Sequence, residues 1–104
     1  MGVNDITLED EQRRTIRRVV SDPGVLDELL ASIERDADFP CLRFVDPYGD
    51  TVFNRVQLEQ VLTELQLLGR RATCSTERSA LGEIAELARH AVDQPHLYMR
   101  LHGD

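Results

Sequence analysis

The chain has 104 residues, with 12 basic and 19 acidic side chains and a formal net charge of −7 at pH 7. That length predicts a single domain spanning residues 1–104, and an apolar fraction of 41% is enough for a hydrophobic core without disulfides or a structural metal. No apolar run approaches the roughly 20 residues of a membrane-spanning helix, and the acidic balance disfavours binding to nucleic-acid phosphates.

The first predicted element is a helix from about residue 8 to residue 20. Thr7, followed three positions later by Asp10, resembles a capping box, and acidic residues fall in the first turn, where they favour the helix dipole. Apolar positions in this stretch are few, so we expect the helix on the surface. A second helix begins at Asp22 and Pro23. Its apolar residues form one core-facing stripe: Leu26, Leu29, Leu30, Ile33 and Ala37.

A β-hairpin is predicted over residues 41–53. Residues 41–45 alternate in side-chain character and contain β-branched and aromatic residues, which is typical of a strand. Pro47 and Gly49 stand at positions that favour a tight turn, and residues 51–53 follow as the second strand.

Two longer helices follow the predicted hairpin. Asn54 and Gln57 have the spacing of a capping box, and Gly69 is placed to end the first of these helices. The second begins at Ser75 or Thr76 and ends at residues 94–95, where a proline breaks it. Gly82 lies inside it at a cost of roughly 1 kcal/mol relative to alanine, which predicts close approach of a neighbouring helix.

Residues 96–102 alternate between polar and apolar side chains and predict a terminal strand. The element order is therefore ααββααβ. We expect an α+β fold, in which the hairpin and the last strand form a three-stranded antiparallel sheet packed against four helices, with the other sheet face partly open.

The polar side of the last strand is the first candidate site, because it carries His96, Tyr98, Arg100 and His102. Two histidines suggest acid–base catalysis. However, six residues at about 3.3 Å each separate them by roughly 20 Å, too far to act on one bond. A solvated or partner-binding face fits better, since tyrosine and arginine are frequent interface hot spots.

Other clusters point to structural roles. Four aspartates near the hairpin, at positions 36, 38, 46 and 50, lack calcium-loop spacing, so we expect them to form turns and predict no metal site. The arginines at positions 13, 14, 17 and 18 follow acidic residues, as on a salt-bridged surface helix. Cys41 and His90 lack the signature of a thiol hydrolase. No nucleotide, metalloprotease or thioredoxin motif is present, and we predict no catalytic residue and no cofactor.

The compartment is inferred from three features. All basic residues are arginine, a bias of G+C-rich coding sequences that hints at a bacterial source. Residues 1–5 do not resemble a secretory signal, so we expect the protein in the cytoplasm. Cys41 and Cys74 are too far apart in sequence for a redox pair or half of a zinc site, and we expect reduced, partly buried thiols.

Two functions remain open. The first is a non-catalytic protein-binding domain, an acidic inhibitor or immunity-type antidote that masks a basic partner surface. The second is a small enzyme or anion-binding domain on the open sheet face. An exposed sheet edge also offers a route to a homodimer, whereas neither nucleic acid nor a membrane is expected as a partner. The candidate binding residues come from the hairpin and the last strand: Arg43, Tyr48, Asp50, His96, Tyr98, Arg100 and His102.

Overall fold

The computed structural model describes residues 2–3, 5–20 and 23–103. Within them, four strands form one antiparallel sheet, and three α-helices cover one of its faces. The elements are β1 (Asp5–Glu9), β2 (Thr15–Val20), α1 (Pro23–Ser32), a 3-10 helix (Leu42–Phe44), β3 (Asp50–Phe53), α2 (Arg55–Arg71), α3 (Ser75–Val92) and β4 (Tyr98–His102). The predicted α+β class is confirmed.

The sheet has the order β2-β1-β4-β3, which places β1 and β4 at its centre. Ile6 and Leu8 of β1 lie opposite Leu101 and Met99 of β4, and Phe53 of β3 also pairs with Met99. These side chains are buried against the helices. The first and last strands of the chain therefore form the middle of the core, where apolar burial stabilises the fold most.

The predicted surface helix over residues 8–20 is wrong, because this stretch forms the β1–β2 hairpin. The ion pair between Asp10 and Arg14 does form, with 2.8 Å between Arg14 Nε and Asp10 Oδ2. It closes a tight turn and does not lie on a helix. Asp10 also accepts hydrogen bonds from the backbone of Gln12 and Arg14, while Arg13 adopts a positive φ of 64°. An acid and an arginine four positions apart are therefore compatible with a hairpin turn as well as with a helix.

The predicted hairpin over residues 41–53 is also wrong in its first strand. Residues 42–44 form a 3-10 helix, and β3 pairs with β4. The predicted turn itself is present: Asp46 accepts a hydrogen bond from Tyr48 N, and Gly103 N donates to Gly49 O at 2.8 Å. A Cβ on Gly103 would lie 2.3 Å from that oxygen. Only glycine fits at position 103, because the backbone after β4 lies directly against the turn at Gly49.

These differences change the element order from the predicted ααββααβ to ββαβααβ, with three α-helices and four strands among the described residues. The capping box of α2 is confirmed, since Asn54 and Gln57 each accept the other's backbone N–H. The start of α3 at Ser75 also agrees. Gly69 does not end α2, which continues to Arg71. Gly82 is exposed, so the predicted close approach of another helix there is wrong.

Candidate functional site

The side of the sheet opposite the helices, here called the free face, carries mostly polar side chains. In the strand register, Thr7 lies opposite Arg100, and His102 lies between Asp5 and Asp50 on its two neighbouring strands. Alternation along each strand then defines the members of the free face. They are Asp5, Thr7, Glu9, Arg18, Val20, Asp50, Val52, Tyr98, Arg100 and His102.

Five of these side chains lie in a polar ring. Arg100 donates from Nε to Glu9 at 3.1 Å and from Nη1 to Asp50 at 3.3 Å. Thr7 Oγ1 donates to Glu9 at 2.9 Å and lies 2.9 Å from His102 Nε2. His102 Nδ1 lies 3.8 Å from Asp50 Oδ1, so this side of the ring is a close approach and not a hydrogen bond. The hydrogen bond to Glu9 raises the pKa of Arg100, so its guanidinium stays charged.

The order Asp50, His102, Thr7 resembles a catalytic triad, but the contacts argue against that role. The single proton of the Thr7 hydroxyl is donated to Glu9. The 3.8 Å between His102 Nδ1 and Asp50 Oδ1 is also too long for the hydrogen bond by which the acid of a triad orients its base. Thr7 is also only 5% exposed. The ring is a satisfied polar network that holds three strands together.

The predicted site residues are only partly brought together. Tyr98, Arg100, His102 and Asp50 share the free face. His96 precedes β4, has a positive φ of 77° and pairs with Glu11 in the β1–β2 turn. Arg43 and Tyr48 lie beside α1 instead. The two arginines and two histidines expected around one anion pocket therefore do not converge, and Arg100 is already neutralised by two carboxylates.

A cleft of about 550 Å³, here called the α1 cleft, opens between α1 and residues 43–48. Its most prominent feature is a pair of aromatic rings, Phe44 and Tyr48, which are 68% and 69% exposed. Exposed aromatic side chains beside a concavity are typical of protein-binding surfaces. The cleft is lined by Gly2, Asp27, Leu30, Ala31, Glu34, Arg43, Phe44, Val45, Pro47 and Tyr48.

Arg43 forms part of the cleft wall and is incompletely satisfied. Its guanidinium lies over the Phe44 ring, 4.7 Å from the ring centre. Its Nε atom is buried and has no hydrogen-bond acceptor among the residues that the structure describes. On the opposite wall, Asp27 accepts a hydrogen bond from Val3 N at 3.1 Å and so fixes the chain just before β1. The cleft thus combines apolar walls with charges of both signs.

A buried carboxylate on α2 explains how the cleft wall is positioned. Glu64, 1% exposed, accepts hydrogen bonds from Leu42 N at 2.8 Å and from Cys41 N at 3.1 Å. These bonds satisfy backbone donors at the start of the 3-10 helix, which in turn presents Arg43 and Phe44 to the cleft. Burial and the Glu64 charge raise the pKa of the Cys41 thiol. Sequence analysis missed Glu64, because a single acid on an apolar helix face gives no signal of its backbone partner.

The outer edge of β2 is exposed and carries Ile16 and Val20, which are 48% and 62% exposed. It also carries Arg17 and Arg18, and a bulge interrupts its pairing with β1. Charges and bulges are the usual protection of sheet edges. Arg18 is paired with Asp5 at 2.8 Å, and the homodimer expected from the sequence stays a prediction.

Sequence analysis missed Phe44, Asp27 and Glu34 as candidate site residues. In the predicted strand over residues 41–45, nothing marked Phe44 as an exposed residue. In the structure, the 3-10 helix places its ring on the surface.

In the described part of the chain, no group of three or more histidines, cysteines or acids is arranged to hold a metal ion. Its helices also lack a stretch long and apolar enough to cross a membrane. No protein-family model, curated protein or solved structure matches the chain significantly.

Proposed function

We propose that the protein is a non-catalytic protein-binding domain whose binding surface is centred on the α1 cleft. The carrying observation is the exposure of Phe44 and Tyr48, more than two-thirds each, at the mouth of the same cleft. Exposing aromatic rings to water is unfavourable, and burying them against a partner recovers that free energy. The free face offers less, because its central polar groups already satisfy one another.

The class of partner follows from charge. The net charge of −7 favours association with a basic protein surface, mainly by raising the association rate. An inhibitor or immunity-type antidote that masks such a surface is the form of this function that best fits a small acidic domain. Its association rate should fall as salt concentration rises, since the Debye length is about 10 Å at 0.1 M and about 3 Å at 1 M.

The test is affinity capture from a lysate of the source organism, using the wild-type chain, Phe44→Ser and Val56→Ser as baits. Val56 is a matched control, because it is 77% exposed but does not line the cleft. We expect one stoichiometric protein partner, retained by Val56→Ser and lost or weakened at least tenfold with Phe44→Ser, as for an interface hot spot. The captured protein is then purified and titrated against each variant by calorimetry. No stoichiometric partner, or equal binding to both variants, would contradict the proposal.

A further inference from the structure

We infer that the α1 cleft receives an extended segment of the partner that presents an apolar side chain next to a lysine or arginine. This inference rests on the proposed function and adds the chemistry of the occupant. The apolar part follows from the walls, where Leu30, Ala31 and Pro47 line the cleft together with the two exposed rings. A volume of about 550 Å³ lies within the range of pockets that enclose small ligands or anchoring side chains.

The cationic part follows from the α1 wall. Asp27 and Glu34 flank its apolar residues, and Glu34 is exposed without an ion-pair partner in the described ranges. The last turn of α1 contains no basic residue, so no cation within it offsets the negative end of the helix dipole, although Ser32 Oγ donates to Leu29 O at 2.6 Å. A cation beside Glu34 would therefore meet a carboxylate and the helix terminus together.

Arg43 on the opposite wall favours an extended backbone over a free cation. Its buried Nε lacks an acceptor, and an unsatisfied donor is costly. A backbone carbonyl of the bound segment can accept from the other nitrogens of this guanidinium, which belongs to the cleft lining.

The probes are two capped dipeptides, acetyl-Leu-Arg-amide and acetyl-Leu-Glu-amide, titrated into the full chain and followed by amide NMR. Dissociation constants on the order of 1 mM suffice for this measurement. We expect saturable shifts at Ala31, Phe44 and Tyr48 with the arginine dipeptide, and weaker binding of the glutamate dipeptide. Glu34→Gln should reduce the preference about twofold to fivefold, the range of an exposed ion pair. Glu28→Gln is the matched control, an exposed acid on α1 outside the cleft lining.

The remaining outcomes overturn the inference. Equal binding of both dipeptides, preference for the glutamate dipeptide, or no saturable shift would each exclude a cation-selective cleft. Cleft amides that move with protein concentration alone would identify a second copy of this chain as the occupant. The lysate capture is independent of these results. A partner that Phe44→Ser fails to bind, combined with unselective dipeptides, would retain the protein-binding function and reject only the occupant inferred here.

Discussion

The two faces of the sheet are stabilised by different interactions. On the helix-covered face, Ile6 and Met99 are fully buried by apolar neighbours. On the free face, Thr7 and Glu9 are 5% and 7% exposed although no helix covers them, and Glu9 is held by Arg100. Apolar burial stabilises the first face, whereas mutual hydrogen bonding and charge pairing stabilise the second. A sheet face without helices is thus not in itself a vacant binding surface.

The largest effect is expected from the covered face. Met99→Ala removes a fully buried side chain and leaves a cavity, which should lower the free energy of unfolding by about 2–5 kcal/mol. Urea denaturation followed by circular dichroism measures this loss. Tyr98→Ala is the control, since its side chain is on the free face, is 36% exposed and should cost clearly less. Equal losses would mean that the two faces do not differ as described.

The free face is tested by breaking its central ion pair. Arg100→Met leaves the buried Glu9 carboxylate without its cation, and we expect a loss of about 2–3 kcal/mol. This is below the usual cost for a fully buried pair because the Arg100 side chain remains 15% exposed. Adding Glu9→Gln removes the stranded charge, so the double variant should lose less than the sum of the single variants. Strict additivity in urea denaturation would show that the ring is not coupled.

The elements that sequence predicted correctly are those with local signals. The capping box of α2 depends only on Asn54 and Gln57, three positions apart, and it forms as expected. The β1–β2 hairpin was missed because β1 is stabilised by β4, at the far end of the chain. Its Asp10–Arg14 spacing is equally compatible with a helix and a tight turn. Long-range pairing overrode local propensity there, as it commonly does in sheets.

The candidate site was predictable to a similar extent. Tyr98, Arg100 and His102 share one face because strand alternation is local, and that placement agrees with expectation. Their partners Thr7 and Glu9 could not be recognised while their segment was interpreted as part of a helix and its cap. The α1 cleft was missed for a related reason, since it depends on a 3-10 helix held by Glu64 from a distant part of the sequence.

A smaller effect, of opposite sign, is expected at a position that belongs to neither face. Gly82 lies exposed within α3, and a Cβ added there would meet no described atom within 4 Å. Gly82→Ala should therefore raise the free energy of unfolding by up to about 1 kcal/mol, the difference in helix propensity. Calorimetry should show this as a rise in Tm of several degrees. An unchanged or lower Tm would reveal a contact of Gly82 that the structure does not contain.

The smallest effect is expected from the exposed ion pair between Asp36 and Arg71. It shows how much an ion pair outside the polar ring contributes to stability. The hydrogen bond from Arg71, and then that from Asp38 N, lowers the pKa of Asp36 below its ordinary value of 3.8. A lowered folded-state pKa contributes stability that is complete above the ordinary pKa and is lost as pH falls through the lowered one. Asp36→Asn should therefore be slightly less stable than the wild type at pH 7, and the difference should shrink below about pH 3.8.

Because the pair is exposed, 0.5 M salt should also reduce that difference, whereas the loss from Arg100→Met should persist. Equal salt sensitivity of the two variants would remove the distinction between the buried ring and an ordinary surface pair.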